Sequence, residues 1–379
     1  MSGLYLHIPF CKQACSYCDF YFVTQQQHKA DFVKALVQEI ESKKDTVYTQ
    51  EPVQTIYFGG GTPSLLTKQE LGDILDAIYK TFQVQADEIT VELNPDDVSA
   101  QYLADLKSLG VNRVSMGVQS FDENLLRFMN RAHSADEALK CLELLKLSDI
   151  NVFTVDLIYG NPGQTLSMLE KDLETLLTFD PPHVSAYSLT IEPRTRLGKQ
   201  VELGRLIPTE DDEVAAHFDL VEHHLLAHDI KRYEVSNFAK SGKEALHNAN
   251  YWAHKNYLGL GPGAHSFWWN EERTGAYRWE NKPDITAYTK SIAIQVPEKE
   301  LLDLPALAEE RIMLALRTMK GIDLNVLKNE YNFRLNTKQK EYLFEKQQQG
   351  KVQVGDALSL TSKGLKIADA IVLDILTQS

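Results

Sequence analysis

Three of the chain's four cysteines, Cys11, Cys15 and Cys18, fall inside the segment HIPFCKQACSYCDF at residues 7–20. Thiols crowded at such spacings hold metal or carry redox chemistry more often than they pack a core. The fourth, Cys141, sits in the amphipathic stretch DEALKCLELLKL and reads as a small buried hydrophobe. Structural zinc takes two pairs of ligands that close a tetrahedron. Here only His7 lies near the trio, and no second C-x-x-C follows. An iron–sulfur cluster normally takes four thiolates. Three would leave one iron open, and an open metal position is a place for substrate or cofactor. The trio thus points to an iron–sulfur centre completed by something that binds.

The rest of the chain must position that centre. Apolar β-rich runs occur at LYLHI (4–8), TIYFGG (55–60), EITVEL (88–93), RVSMGVQ (113–119), NVFTVDLIY (151–159) and HVSAYSLTI (183–191). Helical periodicity lies between most of them, as in KADFVKALVQEIESK (29–43) and KQELGDILDAIYKTF (68–82). Strands alternating with helices predict an α/β fold around a parallel sheet. Six units predict a partial (β/α)6 TIM-type barrel, whose chemistry belongs at the C-terminal ends of its strands.

Polar residues punctuate those ends. GGGTP (59–63) follows the second run, where glycines let backbone N–H groups approach a ligand, although a tight turn explains them equally well. Glu92, Gln119 and Asp156 interrupt apolar runs, and a buried polar group without a partner costs a few kcal/mol, about 2 or more. Taken singly, each could serve structural hydrogen bonding; repeated at strand ends, they mark a site. Arg131, in FMNRAHS, offers a forked donor to a carboxylate.

The spacing C-x-x-x-C-x-x-C, with an aromatic before the last cysteine, resembles the signature of the radical S-adenosylmethionine enzymes. YLHIPFCKQACSYCDF, YFGGGTPSLL, VELNPDD, RVSMGVQSFD, LIYGNPGQT and TIEPRT follow in order the pattern of the oxygen-independent coproporphyrinogen III oxidase family and its relatives, over about residues 3 to 270. The resemblance implies a [4Fe–4S] cluster on Cys11, Cys15 and Cys18. It implies S-adenosylmethionine on the open iron, contacted by Tyr5, Tyr17, the backbone of Gly60, Gly61 and Thr62, and Glu92. Gln119, Arg131 and Asp156 would line the same or an adjoining nucleoside pocket. The implied chemistry is reductive cleavage of the sulfonium to a 5′-deoxyadenosyl radical.

Two departures separate the chain from the oxidases. They carry another cysteine two residues after the third, where this chain has Phe20, and an extension before the tyrosine matching Tyr5. Both features resemble instead the HemW-type heme chaperones. HNANYW (247–252) also matches their H-N-x-x-Y-W pattern. There His247 could offer an imidazole to heme iron while Tyr251 and Trp252 cover the macrocycle. The other reading of His247 is a hydrogen-bonded structural histidine. Two functions follow: a heme chaperone delivering its cargo to apoproteins, or a radical enzyme acting on a tetrapyrrole.

The 379 residues, 43% hydrophobic and 24% charged, suit a large domain plus a smaller one. The expected division is a barrel with its extension at 1–280, a connection at 281–305, and a mostly helical, winged-helix-like accessory domain at 306–379. A net charge of −14 argues against nucleic acid as partner. No signal peptide or run of about 18 apolar residues is present, so a cytoplasmic location is expected. Peripheral membrane contact and homodimerisation stay open.

Overall fold

The computed structural model describes residues 2–290 and 297–378. Its parallel strands are β1 (Ser2–Ile8), β2 (Val53–Gly60), β3 (Val84–Leu93), β4 (Arg113–Gln119), β5 (Val152–Tyr159) and β6 (His183–Ser188). The helices among and after them are α1 (Lys29–Glu41), α2 (Lys68–Thr81), α3 (Ala100–Ser108), α4 (Glu123–Phe128), α5 (Ala135–Lys146), α6 (Leu166–Leu177), α7 (Arg196–Glu202) and α8 (Asp211–Leu226). Local chemistry sets several starts. Thr67 with Glu70 and Ser134 with Glu137 form capping boxes that satisfy the first amides of α2 and α5. The strands bury Val, Ile, Leu and Phe along nearly their whole length, as expected for a parallel sheet covered by helices.

β1 to β6 pair side by side in chain order, which is the partial (β/α)6 arrangement that the alternating pattern predicts. The sheet extends beyond both edges. β7 (Lys231–Arg232) and β8 (Asn237–Ala239) add antiparallel to β6. After α9 (Leu246–Trp252), β9 (Tyr257–Leu260) runs parallel to β1, followed by the antiparallel β10 (His265–Trp269), β11 (Gly275–Glu280) and, beyond α10 (Ile285–Lys290), β12 (Glu300–Asp303). The expected connection at 281–305 therefore contains a helix and an edge strand, and its residues 291–296 lie outside the described residues.

The C-terminal part comprises α11 (Leu304–Leu316), β13 (Ile322–Asp323), α12 (Leu324–Glu330), α13 (Thr337–Gln348), β14 (Val352–Val354), β15 (Ala357–Leu360), α14 (Ser362–Leu365) and α15 (Ala368–Thr377). The predicted hairpin is β14–β15, with β13 added as a third strand. Leu316, Leu360 and Ile375 join the same buried apolar cluster as Leu4 and Ile56, so the core runs continuously from barrel to tail. Among the described residues, no helix is long and apolar enough to cross a membrane.

Candidate cofactor site

The cysteine loop leaves β1 over the C-terminal ends of the parallel strands and is fastened from several sides. The Cys11 amide donates to the Val23 carbonyl (3.0 Å), the Ser16 amide to Met129 (2.9 Å), and the Asn130 side chain to the Ala14 carbonyl (2.7 Å). Lys12 pairs with Asp96 and Asp97, and Arg194 with Asp19. These anchors hold three thiols on one wall of a cavity of about 490 Å³. Among the described residues, no three ligating side chains converge tightly enough to grip a single metal ion. Burial pushes the Cys11 thiol up to about 11 and Cys18 to about 12. Metal binding there must displace protons.

The facing wall is the turn after β2. Gly60 has φ +103°, and a Cβ there would lie 2.5 Å from the His7 ring. A Cβ on Gly61 would lie 2.6 Å from the Ile8 carbonyl. Only glycine lets this turn sit against the strand that leads into the cysteine loop. Thr62 continues the lining, and its hydroxyl accepts from the Asn94 amide at 3.2 Å.

Glu92 reaches the cavity from β3. Its carboxylate accepts the Tyr57 hydroxyl at 2.7 Å and the Gly60 amide at 3.2 Å. Burial raises this carboxyl to about 7, against the lowering effect of the Tyr57 bond and with the Asp156 charge adding to the rise. Asp156, on β5, is raised to about 6 by burial, while the Ser185 and Ser115 hydroxyls partly restrain it. Gln119 ends β4 with φ +68°, where the ladder to β5 shifts register, and its buried Oε1 has no hydrogen-bond partner.

Arg131 sits between these walls. One guanidinium nitrogen donates to the Cys15 sulfur (3.2 Å) and the Tyr17 hydroxyl (3.4 Å). The other donates to Asn94 (2.7 Å) and the Gly117 carbonyl (2.8 Å). A Cβ on Gly117 would crowd both Gln119 and Arg131, at 3.1 and 3.2 Å. The donor set suits an iron–sulfur cluster beside a polar, cationic ligand: three thiols, two half-buried carboxyls, a glycine cradle, and the orphaned Gln119 oxygen and Arg131 Nε.

A family model described as the Radical SAM superfamily matches residues 5–176. The heme chaperone HemW of Bacillus subtilis (strain 168) is 36% identical over 339 residues, covering 87% of each chain. The chain belongs to the heme chaperone HemW family. The Escherichia coli (strain K12) heme chaperone HemW is 39% identical over 270 residues, 69% of each chain. The solved structure of coproporphyrinogen III oxidase (HemN) from Escherichia coli, a radical SAM enzyme, has a TM-score of 0.82 at 22% identity, covering 99% of this chain and 89% of that one. That likeness concerns the fold: a barrel with a helical C-terminal part.

Within this HemW-family chain, two sets of sequence candidates lie off the cavity lining. Tyr5 is stacked on Tyr57 and hydrogen-bonded to His7 (3.1 Å), beneath the glycine turn. His247, Tyr251 and Trp252 belong to α9, which packs against β1 and β2. His247 is 1% exposed, and its ring nitrogens meet the Thr55 hydroxyl at 2.8 Å and the Tyr251 hydroxyl at 2.7 Å. In this structure it is a hydrogen-bonded structural histidine. Binding iron through it would require breaking one of those bonds.

Sequence reasoning passed over Asn94, Ser115 and Tyr187, which also line the cavity. Asn94 carried a usable signal, since it ends the run VELN just before a proline. Tyr187 keeps 40% of its surface, although it lies close to Asp156 and Glu92. The cavity is therefore open at the C-terminal end of the strands, where Tyr187 stands.

Proposed function

We propose that this chain is a heme chaperone that binds a [4Fe–4S] cluster, S-adenosylmethionine and heme, and delivers heme to apoproteins in the cytoplasm. The observation that carries this reading is the 36% identity to a heme chaperone HemW across 87% of both chains. Phe20, where the oxidases have a further cysteine, supports it over coproporphyrinogen oxidation.

Cys11, Cys15 and Cys18 would hold the cluster. Gly60, Gly61, Thr62, Tyr17, Glu92, Gln119, Arg131 and Asp156 would surround S-adenosylmethionine, with Tyr5 supporting from below. When bound together, cluster and cofactor supply one-electron chemistry at the sulfonium. The chain's own residues would fix the thiols, set two half-buried carboxyls beside a cationic ligand, and hold a permanent positive charge against the loop. The working division remains 1–280, 281–305 and 306–379, with the last part a docking or lid module. Heme contact through His247, Tyr251 and Trp252 would require α9 to open.

Anaerobic reconstitution tests this reading. The protein should take up four irons, bind S-adenosylmethionine and give a saturable change in the heme absorption spectrum. A chain that binds neither cofactor nor heme would refute it.

A further inference from the structure

α9 is tied to the bottom of the barrel by groups that face inward. The Leu246 and His247 amides donate to the Glu88 carboxylate, both at 2.9 Å. Arg113 approaches the same carboxylate at 3.6 Å and donates to the Lys243 and Glu244 carbonyls that lead into α9. The His247 ring thereby lies close against β1: a Cβ on Gly3 would be 3.2 Å from it.

Above His247 stands Tyr57. The two rings stack with centroids 5.0 Å apart and planes 22° apart. The Tyr57 hydroxyl then donates to Glu92, whose second oxygen accepts from Gly60. An unbroken column, Tyr251–His247–Tyr57–Glu92–Gly60, thus connects the plug of the barrel to the glycine turn. Each joint is a hydrogen bond or a ring stack, and both His247 nitrogens are held.

We infer that His247 is a positioning residue for the cofactor cavity, fixing the Tyr57 ring whose hydroxyl aims the Glu92 carboxylate. His247 and Tyr251 of the H-N-x-x-Y-W motif then act on S-adenosylmethionine binding from the opposite end of the barrel. This rests on the reading of Glu92 as a cofactor contact. Burial drives the imidazole down to about 3, so it stands neutral in the column.

A thermodynamic cycle on the cluster-loaded protein separates positioning from general destabilisation. Affinity for S-adenosylmethionine is measured for wild type, Glu92→Gln, Tyr57→Phe, His247→Ala, His247→Phe and the double variant His247→Ala/Glu92→Gln. His247→Ala should lower affinity roughly tenfold, the scale of one hydrogen bond to a charged group. His247→Phe keeps a ring under Tyr57 and should restore most of it. In the Glu92→Gln background, His247→Ala should add nothing further. Should His247→Ala fail to fold, Tyr57→Phe carries the test, because it keeps the ring and removes only the hydroxyl. It should match Glu92→Gln within about threefold.

An unchanged affinity in His247→Ala or Tyr57→Phe, or losses that add fully to that of Glu92→Gln, would overturn the column. A Glu92→Gln protein that binds as tightly as wild type would overturn both the column and the cofactor reading of Glu92.

Discussion

Arg131 holds its guanidinium 3.2 Å from the Cys15 sulfur while the same group grips Asn94 and the Gly117 carbonyl. One side chain therefore joins the cysteine loop to the ends of β3 and β4. It also sets a fixed positive charge beside a sulfur that must become a thiolate to bind iron.

Replacing Arg131 should damage both roles. Arg131→Ala leaves Asn94 and the Gly117 carbonyl without their donor and should cost about 2–3 kcal/mol in a urea titration. Arg131→Lys keeps the charge but cannot fork to both walls, and should recover cluster content better than stability. Equal urea midpoints for wild type and Arg131→Ala would show that the bridge is not structural.

The cysteines should separate cleanly. Alanine at Cys11, Cys15 or Cys18 should each abolish the iron–sulfur absorption of reconstituted protein. Cys141, buried with its sulfur 3.5 Å from that of Met116, should tolerate alanine with full cluster content and a loss of about 1 kcal/mol. Iron assay decides it: four irons per chain in any of the three alanine variants would exclude that residue as a ligand.

Glu92 makes a pH prediction. Its carboxyl rises from 4.5 to about 7 on folding. Between those values the folded chain keeps a proton that the unfolded chain has released, so stability falls as pH rises. Glu92→Gln removes this slope and should gain on wild type by on the order of 2 kcal/mol between pH 5 and pH 8 in the cluster-free protein. Asp156 adds a slope of the same sign that both proteins share. Parallel stability curves would contradict the burial of Glu92.

The junction with α11 has the opposite sign. Glu310 pairs with Arg278 and lies 3.6 Å from His254. Burial opposes the effect, but the nearby His254 ring and the Arg278 ion pair outweigh it and hold the carboxyl at about 2. That stabilisation is complete above 4.5 and disappears as pH falls toward about 2. Glu310→Gln should be less stable by about 2 kcal/mol at pH 7. The gap should close as the pH drops below about 4.5, read by urea midpoints.

The barrel was legible because its strands are long apolar runs separated by helical periodicity. The cavity was legible wherever a polar residue interrupted or ended such a run, as at Glu92, Gln119 and Asp156. Arg131 was visible as a residue but not as a bridge, because its partners Cys15, Asn94 and Gly117 meet it only after folding. The strands β7 to β12 escaped for a different reason. They are two to six residues long and mostly antiparallel, so the regular strand–helix alternation that marks β1 to β6 does not reach them. HNANYW showed residue types suited to heme, but nothing local revealed that Thr55 and Tyr251 take both nitrogens of His247.

The central claim is heme binding and transfer, and one anaerobic experiment tests it most directly. Cluster-loaded protein with S-adenosylmethionine is mixed with heme, separated from free ligand, and incubated with a heme-free acceptor protein; a parallel sample receives coproporphyrinogen III under reducing conditions. Saturable heme binding, passage of heme to the acceptor, and no decarboxylation of coproporphyrinogen are expected. Failure to retain heme, with steady formation of protoporphyrinogen in the parallel sample, would contradict it.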